Sequence, residues 1–174
     1  MTEVLVERHY EEPLTDADMA AMIEEGSGCL GLHRVHWNRS LLSSDGRDLI
    51  CHFSSADAES VRIALKALGA QRASVWACTV HDAPGFTDDA LALAKVLVSS
   101  RFEAPVVFDE LTAEGDGVVC LRNHRVHVVR TLLSTDRRRM LSLCHAPDAE
   151  SVRIALREAK APVERVWACR EFRP

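Results

Sequence analysis

The chain has 174 residues, with 47% hydrophobic and 27% charged side chains, the balance of a soluble globular protein. Its formal net charge of -5 argues against a general nucleic-acid binder, and no apolar run reaches the roughly 18 residues that a membrane-spanning helix needs. Six cysteines without a secretory leader point to reduced thiols and a cytoplasmic protein rather than a disulfide framework.

In chain order, EVLVERHY (residues 3–10) has a β-branched and apolar core and predicts a strand. LTDADMAAMIEEGSGCLGL (residues 14–32) opens on a Thr/Asp cap signal and places Met19, Met22 and Ile23 at i, i+3 and i+4, which predicts a helix whose end is weakened by Gly26, Gly28 and Gly31. RVHWNRSLLSS, then Asp45-Gly46, then RDLICHF predicts a hairpin, because Asp-Gly suits a turn with positive φ. ADAESVRIALKALG (residues 56–69) carries an apolar stripe of Val61, Ala64, Leu65 and Leu68, with Asp57 to cap its start and Gly69 to end it. ASVWACTV (residues 73–80) predicts the last strand. The order is βαββαβ, a ferredoxin-like split βαβ unit.

The same landmarks then recur. DAESVRIAL stands at Asp57–Leu65 and again at Asp148–Leu156, VWAC at Val75–Cys78 and again at Val166–Cys169, and VLV opens both halves at Val4 and Val96. The chain is a tandem duplication: a first repeat over 1–82, a linker over 83–94 with one turn of helix, and a degenerate second repeat over 95–174. The expected fold class is α+β. Two ferredoxin-like units in one chain form a pseudo-dimer of the dimeric α/β-barrel type.

Val4–Tyr10 (VLVERHY), the run from Trp37 to Arg47 (WxRSLLSxDGR), Cys51-His52-Phe53, DAESVRIAL and VWAC together resemble the DUF4242 family of small bacterial proteins. The resemblance spans nearly all of the first repeat and most of the second in weaker form. It implies a ferredoxin-like fold, assembly as dimers, and membership beside a nickel-binding branch. In that branch an acid and a His two apart on the first strand, and a Cys on the third, correspond here to Glu7, His9 and Cys51. Two further His of the branch correspond to Arg39 and Ile63. Carboxylate, imidazole and thiolate together suit nickel or another divalent transition metal. His36 is a fourth candidate, since its strand pairs with that of Cys51.

CLGLHRVH (Cys29–His36) and CLRNHRVH (Cys120–His127) repeat a Cys-x3-His-x2-His spacing. They read either as two equivalent metal sites or as structural residues copied with the fold. Splitting across a helix end and a strand start favours the second. Cys51-His52 and Cys144-His145 are neighbours on strands and so point to opposite faces. Trp76 and Cys78, like Trp167 and Cys169, share one face, as core packing or as an aromatic wall; Trp37 adds to such a wall in the first half alone. Asp136–Arg139 reads as a solvated hairpin tip.

The first functional reading is a cytoplasmic transition-metal binding protein with its site in the first repeat. The second is a small-molecule enzyme or binder with an apolar cavity between the two sheets, and the third a non-catalytic partner subunit. The expected partner is a metal ion or small molecule, with no nucleic acid and no membrane.

Overall fold

The computed structural model describes residues 1–70, 73–112 and 116–174. Two compact units divide the chain: Met1–Cys78 together with Arg170–Pro174, and Thr79–Cys169.

The first unit contains β1 (Thr2–His9), α1 (Asp16–Leu32), β2 (His36–Ser43), β3 (Asp48–Ser55), α2 (Ala58–Ala67) and the opening of β4 (Ser74–Asp82). Its strands run β4-β1-β3-β2, each antiparallel to its neighbour. The second unit contains α3 (Asp88–Leu93), β5 (Val96–Arg101), α4 (Phe108–Thr112), α5 (Asp116–Asn123), β6 (His127–Ser134), β7 (Arg139–His145), α6 (Ala149–Glu158) and most of β8 (Arg165–Phe172). Its order, β8-β5-β7-β6, is the same one repeated. Each half is thus a ferredoxin-like α+β unit, as the βαββαβ pattern predicts. Among the described residues no helix is long and apolar enough to cross a membrane.

The units do not follow the repeat boundaries. β4 pairs with β1 only over Ser74–Cys78, and its remaining residues, Thr79–Asp82, belong to the second unit. The tail of β8 belongs to the first. There Phe172 packs on the core, Glu171 lies 3.2 Å from Arg39, and Arg170 lies 2.8 Å from Asp16.

One face of the first sheet buries Val4, Val6, Cys51 and Phe53 against Met19 and Leu30 of α1 and Val61, Ala64 and Leu65 of α2. Full burial of an aliphatic or aromatic side chain of this size is worth about 1.5–3 kcal/mol, so this face supplies much of the unit's stability.

The repeated HRVH sequence is a helix terminator. In α1 the C-cap is His33, Arg34 takes a left-handed φ of 55°, and the Val35 and Arg34 N–H groups donate to the Leu30 and Gly31 carbonyls. This is a Schellman motif, with Leu30 and Val35 both buried in the same apolar cluster. Arg125 (φ 56°), Val126 and Leu121 repeat it in the second half. The hairpin tips also match. Ser43 and Ser134 donate to Asp45 and Asp136, and Gly46 (φ 75°) is answered by Arg137 (φ 58°), so Asp136–Arg139 forms the same turn without its glycine.

α1 runs through its three glycines to Leu32, the extent that the sequence predicts. Gly26 is buried, and a Cβ there would come within 3.0 Å of Trp37 Cζ3. Around Gly28 and Gly31 nothing lies within 4 Å of such a Cβ. Gly28→Ala is therefore expected to raise stability by roughly 0.5–1 kcal/mol through helix propensity. Gly26→Ala is expected to lower it, because a Trp37 hydrogen-bonded at its indole (below) has little room to shift. Thermal melts of the two variants check this.

Both DAESVRIAL helices are capped by Asp. The backbone N–H of Ser60 donates to Asp57 and that of Ser151 to Asp148, each at 2.7 Å, and these bonds hold both carboxyls below their ordinary value of 3.8. A lowered folded pKa adds stability above the unfolded value and loses it as pH falls through the folded one. Asp57→Ala/Asp148→Ala is expected to melt lower than the parent at pH 7. The gap should narrow as the pH falls below the ordinary carboxyl value of 3.8 and both carboxyls take up protons.

Candidate functional site

The site begins with a bulge in β2. Side chains i and i+3 of a regular strand point to opposite faces. Between Trp37 and Arg39 the register of β2 against β3 shifts by one residue, so Trp37 pairs with Phe53 and Ser40 with Cys51. Directly paired residues share a face, so the bulge brings Trp37 and Ser40 together on the helix side. The Trp37 indole N–H donates to Ser40 Oγ at 2.9 Å, and Ser40 Oγ donates to Cys51 Sγ at 3.0 Å.

Arg8 completes the row. Val4, Val6 and Arg8 alternate onto the helix side of β1, so a guanidinium stands where the pattern calls for an apolar residue. Its Nη2 donates to Cys51 Sγ at 3.6 Å, it hydrogen-bonds the Tyr10 phenol, and its buried Nε has no hydrogen-bond partner among the described residues.

Above this row lies a pocket of about 300 Å³, at the lower end of ligand-site volumes. Trp37, Phe53, Leu30, Leu65 and Met22 form its apolar wall, Arg8 and Tyr10 its polar side, and the exposed Glu25, Leu68 and Gly69 its mouth. Burial pushes the Cys51 thiol up, against the pull of Arg8 and of the bonds from Ser40 and Arg8. Burial also raises the Tyr10 phenol despite Arg8. Both stay protonated at neutral pH. Among the described residues the lining therefore offers a cation and a phenol but no thiolate, and its one carboxylate, Glu25, is in solvent.

The second half lacks these groups. By register, Ser100 stands for Arg8, Ser142 for Cys51, Thr131 for Ser40 and Val128 for Trp37. The polar remnant is a 3.2 Å contact between the Thr131 and Ser142 hydroxyls.

Glu7, His9, Cys51 and His36 are not brought together as metal ligands. Cys51 pairs with Val6, so it faces the helices, whereas Glu7 and His9 face the other way. Glu7 accepts from the Trp76 indole, exposed His9 lies 2.9 Å from Asp48, and His36 is exposed at the start of β2 opposite Ser54. The expected convergence assumed only that neighbouring strands suffice; the one-residue offset sends the thiol to the wrong face. A protonated buried thiol is also a poor ligand. Among the described residues no three His, Cys, Asp or Glu side chains form a set able to hold a metal ion, and these donors do not fit nickel. The Arg39 position, a His in the nickel-binding branch, shares the Glu7 face and pairs with His52. Ile63 is exposed.

On that opposite face His52 Nε2 lies 2.6 Å from Glu3 Oε2, and Ser54 Oγ donates to Glu3 at 3.0 Å. Asn38 donates to Ser54 at 2.8 Å. The carboxylate sits between the hydroxyl and the imidazole. A nucleophilic triad needs the imidazole in the middle, so this is a polar network and not a hydrolase site. Trp76 and Cys78 share this face as expected, paired with Leu5 and Glu3. Burial and Glu3 together push the Cys78 thiol up to about 12.

Arg8, Ser40 and Tyr10 are absent from the sequence-derived candidates. The available signal was parity: a charged residue at the inward position of an otherwise apolar strand.

No protein-family model matches the chain, and no curated protein does. Among solved structures it is similar to a protein described as a candidate chlorite dismutase, at 14% identity and a TM-score of 0.48, covering 98% of this chain and 94% of that one. It is also similar to a candidate monooxygenase from Lactobacillus acidophilus, at 9% identity and a TM-score of 0.46, with the same coverage. Likeness at this level leaves function to the chain's own residues.

Cys51, Cys78, Cys144 and Cys169 are buried, while Cys29 and Cys120 are half-buried. Burial raises Cys144 to about 12. A thiol reagent at pH 8 is expected to modify Cys29 and Cys120 in the folded protein and the other four only after denaturation. Peptide mapping checks it; rapid modification of Cys51 would contradict its placement.

Proposed function

We propose that the protein is a small-molecule binding module whose ligand site is the pocket of the first half, with the second half serving as scaffold. The observation that carries this reading is the pairing of an aromatic wall, Trp37 and Phe53, with an incompletely partnered Arg8 in one cavity. The chain's own second copy supports it. Duplication copied the helix caps and hairpin turns, while the residues of this row were replaced by Ser100, Ser142, Thr131 and Val128. Groups needed only for folding would serve both halves alike.

Binding is favoured over catalysis by what lines the cavity. Proton transfer at neutral pH needs a group whose pKa lies near 7. Cys51 and Tyr10 are moved away from that range, and Glu25 lies in solvent at the mouth. The cation is worth more here than on the surface. A charge pair at 4 Å gains about 4 kcal/mol at an effective dielectric of 20, against about 1 kcal/mol in water. This reading requires no metal, and so departs from the nickel-binding branch that the sequence resembles.

Protein-detected NMR with a library of small aromatic and aliphatic fragments tests it. Shifts are expected at Gly26, Leu68, Gly69 and the Trp37 indole, and Leu68→Trp, which narrows the mouth without touching the core, is expected to weaken them. Fragments that instead shift the Trp76 indole, or none that bind, would overturn the assignment.

A further inference from the structure

We infer that the ligand of this pocket is a monocarboxylate with a compact apolar body, its carboxylate held by Arg8 and its body against Trp37 and Phe53. The inference rests on the binding reading and narrows it. Arg8 stands on the helix side of β1, where water cannot fully solvate it. Its described partners are a thiol sulfur and a phenol, both uncharged, and among the described residues its buried Nε has no partner. A guanidinium presents several donors in one plane, which matches the two oxygens of a carboxylate. Its described hydrogen bonds thus bring no carboxylate to the guanidinium, and the one carboxylate of the lining, Glu25, stands in solvent at the mouth.

The rest of the lining selects among anions. Trp37, Phe53, Leu30 and Leu65 supply no polar group to the cavity other than an indole N–H already given to Ser40. A phosphate, with more charge and three oxygens to satisfy, would need further donors that these residues lack. The volume of about 300 Å³ limits the body to one ring or a short branched chain. Glu25 at the mouth places a negative charge where a second carboxylate would emerge. It therefore favours monoanions over dianions.

Isothermal titration and NMR with phenylacetate, phenylacetamide and phenylsuccinate test this on the full chain. Phenylacetate is expected to bind roughly 10- to 100-fold more tightly than its amide, the range that a charge-assisted hydrogen bond supplies. Arg8→Met is expected to abolish that preference while leaving residual binding of the amide. If Arg8→Met fails to fold, Arg8→Lys, which keeps the charge but loses the planar fork, is expected to reduce the preference instead. Phenylsuccinate is expected to bind weakly to the parent and better to Glu25→Gln. Equal binding of acid and amide with shifts at Gly26 and Trp37 would overturn the carboxylate assignment and leave the pocket reading intact. No shift at the pocket with any aromatic or aliphatic probe would overturn both.

Discussion

The pairing of Val6 with Cys51 across β1 and β3 sets the parity of the whole first-half sheet. With a side-chain period of two, that one pairing decides which residues can meet. It sends Val4, Val6, Arg8, Cys51 and Phe53 toward the helices and Glu3, Glu7, His9 and His52 to the other face. Slipped by one residue, the same strands would bury Glu7 and His9 and expose the valines. The apolar face therefore enforces the register, and the register gives Arg8 its place in a wall of hydrophobic residues.

The β2 bulge acts on this frame. Without it Trp37 and Ser40 would lie on opposite faces, and the indole could not reach the hydroxyl. The bulge is also present in the second half, between Val128 and Arg130, where it aligns Thr131 with Ser142. The backbone device is thus common to both copies, and only the side chains hung on it differ. Gly26 belongs to the same design: α1 lies close enough to the sheet for the Trp37 ring to pack where a Cβ would stand. A polar row, a bulge and a missing side chain on a facing helix together make a cavity where a ferredoxin-like unit would otherwise be filled.

The two halves separate features that recur with the fold from those that one copy alone carries. Schellman termini at Arg34 and Arg125, Asp caps at Asp57 and Asp148, and Ser–Asp turns at Ser43 and Ser134 recur because each satisfies backbone groups that any such unit must satisfy. This accounts for the repeated Cys-x3-His-x2-His spacing. Leu30 and Val35 carry the helix stop, and the Cys and His of the repeat stand beside it. The Arg8 row and the Glu3–His52 network answer no such common requirement, and their counterparts in the second half are different residues.

The elements, their order, the duplication, the helix caps and the glycine turns were legible in the sequence, because each depends on local periodicity and local backbone geometry. Cys51 and His52 were rightly placed on opposite faces by alternation alone. Alternation within β1 and within β3 could not say how the two strands register, and so could not say whether Cys51 stands with Glu7 or with Val6. The bulge that turns Ser40 inward and the exchange of the β4 and β8 tails between units are likewise decided by packing at a distance. The sequence by itself determined two ferredoxin-like units and their punctuation. Only the tertiary structure decided that Arg8, Trp37, Ser40 and Cys51 meet on one face while Glu7 and His9 stand on the other, because cross-strand register is fixed by burial of the whole face and not by any one residue.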